Sequence, residues 1–132
     1  MKKFVVSLLM LCVWMLPTLA QEFAGDKILG EYWVNHGDEK SKVRFTKIGT
    51  NAYRAQVTWL EKIKDAKGNI RRDPKNPDPS KRNIPADQMV LIDKVSYKDG
   101  EWAQGEIYDP TRGRSFTVCI WFKDAETLCV KG

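Results

Sequence analysis

The chain has 132 residues, with 22 Lys and Arg against 17 Asp and Glu, one His and three Cys. Two of the bases and none of the acids fall in the first 20 positions, leaving 20 bases and 17 acids, a net charge of +3, over residues 21–132. So mild a balance, with no concentrated basic stripe, argues against a nucleic-acid partner. A lone histidine builds neither Ser-His-Asp nor Cys-His catalysis, and two cysteines ten apart do not make a zinc site of the usual spacing; no cofactor is implied.

Lys2 and Lys3 precede residues 4–16, which are apolar apart from Ser7, and Thr18-Leu19-Ala20 places small residues before a cut ahead of Gln21. This is the pattern of a secretory signal peptide over residues 1–20, and the apolar run falls short of the roughly 20 residues a spanning helix needs. No transmembrane anchor is expected in the mature chain, and residues 21–132 form one domain, periplasmic or secreted.

Within that domain, residues 28–35 read as a first strand ended by His36-Gly37-Asp38, and residues 42–48 as a second. Gly49-Thr50-Asn51 turns into a third over 52–62, where Tyr53, Ala55, Val57 and Trp59 alternate with Arg54, Gln56 and Thr58. Residues 63–85 then break the rhythm. They hold four of the six prolines and seven bases against three acids, and a loop of this length and charge reads as an ordered lid or flap. Inside it, Asp78 suits an N-cap, with Pro79 at the first position of a short helical turn.

The fourth strand spans 88–97 and meets an Asp99-Gly100 hairpin turn. Residues 101–122 form the densest aromatic stretch, two strands joined at Asp109-Pro110 and Gly113, with Phe116, Val118, Ile120 and Phe122 alternating inward. Residues 126–131 make a seventh strand. Cys119 and Cys129 fall on the polar faces of the last two; a loop at 123–125 sets them opposite for a cross-strand disulfide, and a register two residues different does not. Short strands at regular spacing predict an all-β, antiparallel up-and-down barrel of about seven strands, open at one edge.

Gly30 with Trp33, Thr58-Trp59-Leu60, Asn76-Pro77-Asp78-Pro79 with Arg82, and Trp102 followed by Gly105-Glu106-Ile107-Tyr108-Asp109-Pro110 occur in that order. In these segments the chain resembles the bacterial exported family called domain of unknown function twenty-one forty-seven, similar in fold to lipocalins, over nearly all of residues 21–132. The resemblance implies a fold and a compartment; it carries no catalytic residue across. Two departures stand out. Glu31 and Tyr32 stretch the lipocalin-like Gly-x-Trp, and the family continues past the equivalent of Lys131-Gly132 into one more strand carrying a Trp and an Arg. The expectation is therefore a fragment or an open sheet edge beside the first strand, with weaker stability or self-association.

Trp33, Trp59, Trp102 and Tyr108 are the candidates to line a ligand cavity, at a mouth of an otherwise mostly filled interior. Arg71, Arg72, Lys75, Lys81 and Arg82 could rim it for an anion, or serve only to keep a loop soluble. Arg82 could clamp a carboxylate or phosphate, or pair with Asp78 or Asp109 to pin the loop. Asp73, Asn76 and Asp78 could supply oxygen ligands to calcium, but they do not fit the EF-hand pattern, and Asn76 and Asp78 read as loop and cap formers; Asp109 reads as a turn former rather than as half of an acid–base pair with Glu106. Three functions follow in order of support: a binding module for a small amphipathic or anionic molecule, an envelope protein-interaction module using the open edge and the 63–85 loop, and a carboxylate-dependent enzyme.

Overall fold

In the computed structural model, residues 24–132 are described; the leader expected over 1–20 lies outside them. Seven strands follow one another, β1 (Gly30–His36), β2 (Glu39–Gly49), β3 (Ala52–Leu60), β4 (Val90–Lys98), β5 (Glu101–Asp109), β6 (Arg114–Phe122) and β7 (Leu128–Lys131). Each pairs antiparallel with the next, in the order β1-β2-β3-β4-β5-β6-β7, and the sheet curls into a half-barrel. The alternation read from the sequence sets the faces. Ser41, Val43 and Phe45 of β2, Tyr53, Ala55 and Val57 of β3, and Val118 and Ile120 of β6 are buried, while Arg44, Gln56 and Thr117 face water. Phe116 and Phe122 of β6 are half-buried.

The concave face is filled. Trp102, Tyr53, Ile92, Ile120, Val95 and Val118 are almost wholly inaccessible, and Trp102 packs tilted against Tyr97 and edge-to-face against Phe122, with ring centroids 4.7 and 5.6 Å apart. Burying one such large apolar side chain is worth roughly 1.5–3 kcal/mol, so this packing is the main support of the sheet. One end of the half-barrel is closed by the segment before β1. Ile28, in a 3₁₀ turn over Asp26–Ile28, is fully buried. The Trp102 indole N–H donates to the Gly25 carbonyl at 3.1 Å, the Tyr32 hydroxyl donates to the Ile28 carbonyl, and the Tyr53 hydroxyl donates to Asp26 at 2.7 Å.

Two interruptions of the ladder re-aim side chains. Lys42 pairs with Trp59 but its neighbour Val43 pairs with Val57, leaving Thr58 as the extra residue of a bulge. Trp102 pairs with Ile120 and Gly105 with Val118, so an extra residue is inserted there too, at a backbone where Gln104 takes a φ of 61°. A bulge shifts every later residue of its strand to the opposite face. Gly105 is required at the second one, because a Cβ there would overlap the Lys94 carbonyl.

The seventh strand is shorter than expected, and its register rules out the proposed cross-strand disulfide. The Lys123 N–H donates to the Thr127 carbonyl and Phe122 faces Leu128, which puts Cys119 opposite Lys131 and Cys129 opposite Trp121. Diagonal neighbours lie about 7–8 Å apart, beyond the roughly 6.8 Å Cα limit for a disulfide. Both thiols are free.

Candidate functional site

The segment between β3 and β4 is an ordered cover, as its proline and charge content suggested, and it lies across the end of the half-barrel opposite the Asp26–Ile28 turn. It begins with a small hairpin in which Lys64 bridges Ile70 and the Asp65 carboxylate accepts the N–H groups of Lys67 and Asn69 at 2.9 Å. On one side Arg71 holds it to the start of β2 and to the chain just past β3, donating to Glu39 at 2.8 Å and to the Lys62 carbonyl at 2.6 Å. On the other side Lys75 donates to the Thr111 carbonyl at 2.9 Å, in the β5–β6 turn. Gly113, at a φ of 67°, lies so close to the Lys75 backbone that a side chain there would collide with it.

The centre of the cover is a buried polar lock. Asp73 is 2% exposed. Its two oxygens accept from the Tyr108 hydroxyl and from the Asn76 amide, each at 2.8 Å. Asn76 in turn accepts from the Asp78 N–H, and Asp78 caps the 3₁₀ turn Pro79–Lys81 by accepting from the Ser80 N–H at 3.0 Å. The cap expected at Asp78-Pro79 is therefore formed, and its hydrogen bonds to Ser80 hold the Asp78 carboxyl below its ordinary value. Burial, reinforced by Asp73, pushes the Tyr108 hydroxyl well above its usual pKa, so it stays a donor.

On the outer surface of this cover lies an open hollow of about 580 Å³, with Ile70 and Pro74 among its apolar walls and Arg71, Arg72 and Arg82 around it. Arg72 donates to the Asn83 carbonyl and Arg82 Nε donates to the Asn76 carbonyl at 2.8 Å. Among the described residues neither guanidinium has a carboxylate partner, whereas Arg71 is ion-paired with Glu39. Arg82 thus pins the loop through a backbone carbonyl and forms no salt bridge with Asp78 or Asp109, although its charge helps to hold the Asp78 carboxyl down. Asp65, which also borders the hollow, has a carboxylate oxygen occupied by two backbone N–H groups. The result is a pair of positioned guanidinium groups, neither in a salt bridge, beside apolar surface.

A second cleft, of about 800 Å³, separates the cover from the outer faces of β3, β4 and β5. Arg54, Lys81 and Lys94 line it together with Asp93 and Glu106, so its charge has no single sign.

The other residues expected to form a ligand cavity are not brought together. Trp33 lies on the outer face and is 66% exposed, Trp59 is turned outward beside it by the Thr58 bulge, and Tyr108 is turned outward to Asp73 by the bulge at Gln104. Only Trp102 points inward, as a core residue. Glu106 lines the second cleft, whereas Asp109 accepts from the Thr111 and Arg112 N–H groups in its turn; they form no acid–base pair. Arg72 was named only as one of five basic loop residues, and the Asp73–Tyr108 bond is what the sequence did not single out. The charge count of the loop was their only signal. Among the described residues no cluster of His, Cys, Asp and Glu could hold a metal ion, and no helix is long and apolar enough to cross a membrane.

Residues 30–132 match the family described as "Uncharacterized protein conserved in bacteria (DUF2147)", and the chain belongs to that family. Among solved structures it is similar to protein HP1028 from Helicobacter pylori, described as belonging to the lipocalin family, at 20% identity and a TM-score of 0.59, over 78% of this chain and 69% of that one. No curated protein matches it. These likenesses agree with the antiparallel half-barrel and speak to fold.

Proposed function

We propose that this member of the DUF2147 family is an exported, non-enzymatic binding module whose ligand is a small anionic or amphipathic molecule. The ligand sits on the cover, against Arg72 and Arg82, and not in the barrel. One observation carries this reading: both guanidinium groups are held in place by backbone carbonyls and, among the described residues, neither forms a salt bridge with a carboxylate. Positioned guanidinium forks suit the bidentate geometry of carboxylate and phosphate, and Ile70 and Pro74 offer contact to an apolar portion. The filled interior supports placing the site outside.

Titration calorimetry with inorganic phosphate and with octanoate tests this, alongside native mass spectrometry of protein purified from the periplasm. Saturable binding is expected for the native chain, with at least a tenfold loss in Arg72→Ala/Arg82→Ala and only partial recovery in the Arg→Lys pair. Binding equal in all three, or no binding of either probe and no co-purifying anion, refutes the proposal. The enzyme reading loses the pair it rested on, because Asp109 is engaged in its own turn while Glu106 lines the second cleft. The interaction reading is favoured by one specific feature, the free edge of β1.

A further inference from the structure

Among the described residues β1 has β2 as its sole partner, so along its seven residues the backbone groups of every second residue point to an unpaired outer edge. Exposed edges are normally blunted by lysine, proline or a bulge on the edge strand itself. β1 carries none of these: its register with β2 is unbroken, and its one acidic or basic residue apart from His36, Glu31, is bound internally to Arg44 at 3.0 Å and to the Thr58 hydroxyl at 3.0 Å. At the middle of the strand stands Trp33, 66% exposed, edge-on to Trp59 at 5.8 Å, with the Lys42 ammonium 4.7 Å from its ring centre. Leu29 and Val34 beside it are also exposed.

We propose that β1 is a homodimer interface, pairing antiparallel with β1 of a second copy about a twofold axis at Trp33. The strand is self-complementary in that register. Trp33 meets its own copy, Tyr32 meets Val34, and Glu31 meets Asn35, whose own neighbour on β2 is the exposed Lys40. An acid thus faces an amide backed by a base, on both sides of the axis, and no like charges are opposed. The Trp33–Trp59 pairs of the two copies then form one continuous aromatic row. A β1–β7 contact between copies would instead set Lys131 into the row and repeat head to tail without closing.

The test uses residues 21–132. Sedimentation equilibrium is expected to show a mass that doubles with concentration and goes no further, and hydrogen exchange a matching slowing of β1 amides with β7 amides unchanged. Trp33→Lys, which sets two ammonium groups opposite one another, is expected to abolish the doubling while the thermal melt of the single chain is retained. A one-chain mass at every concentration, protection appearing in β7, growth beyond two copies, or a dimer that survives Trp33→Lys each overturns the proposal.

Discussion

Replacing Tyr108 with Phe removes one oxygen, and the structure says what that oxygen does. It donates at 2.8 Å to a carboxylate that is 2% exposed and whose other bond comes from the Asn76 amide. A hydrogen bond to a charged group is worth about 1.5–3 kcal/mol, and the loss is felt in full when the acceptor stays buried. Tyr108→Phe is therefore expected to cost about 2 kcal/mol, close to the middle of that range. The cost falls first on the cover, because Asp73 is its anchor to β5. The amides whose bonds depend on that anchor, Asp73 to Arg82, Asn76 to Asp73 and Ala86 to Arg71, are expected to exchange roughly thirtyfold faster at that cost. Amides of β6 are expected to keep their native rate. Asp73→Asn in the same background closes a double-mutant cycle, and a coupling of at least about 1 kcal/mol is expected between positions in direct contact. Urea melts and amide exchange read both quantities. A Tyr108→Phe chain within about 0.5 kcal/mol of native, with unchanged exchange in residues 73–86, would refute the view of Asp73–Tyr108 as the lock.

Two other measurements follow from the geometry. Burial raises the hydroxyls of both Tyr32 and Tyr108 above the ordinary tyrosine value, Asp73 adding to the rise at Tyr108, so their contribution to stability is fully present below about pH 10 and is lost as pH climbs through the native values. A spectrophotometric titration is expected to leave these two phenols unionised after free tyrosine has titrated, and both ionising at the ordinary value would contradict it. Cys119 and Cys129 are expected to take an alkylating tag without reductant, Cys119 slowly at mild alkaline pH because burial, with Glu101 alongside, raises its thiol. A two-proton mass deficit and no tagging would show that β7 has shifted register.

The strands, their order and the inward faces of β2, β3 and β6 were legible because alternation is a local property of the chain. What was not legible is where alternation restarts. Tyr53, Ala55 and Val57 predict an inward Trp59, and Trp102 predicts an inward Tyr108 six residues on; both inferences assume an unbroken period of two. The bulges at Thr58 and Gln104 break it, and no residue of those stretches announces a bulge as a glycine at the inserted position would have done. Gly105 was visible, but its reason, the close approach of the Lys94 carbonyl, is a contact between strands that one strand's sequence does not contain. The disulfide failed in the same way, since a register differing by two residues depends on the length of the 123–127 turn and leaves each strand's pattern unchanged. Within the loop, Asp78-Pro79 could be read because a cap and its helix start are adjacent, whereas Asp73 and Tyr108 are 35 positions apart.

The same two bulges bear on where a ligand can go. By turning Trp59 and Tyr108 away from the concave face, they leave the interior to the buried side chains around Trp102, Tyr53 and Ile120, closed at one end by Ile28 and at the other by the cover. Tyr108, once outward, becomes the post to which Asp73 ties the loop, and that tie fixes the backbone carbonyls of Asn76 and, through the capped turn, of Asn83. Those carbonyls are what hold Arg82 and Arg72. The order of dependence therefore runs from an inserted residue in β5, through a buried carboxylate, to the two positioned guanidinium groups on the surface. A change at Tyr108 should for that reason weaken anion binding without touching the ligand.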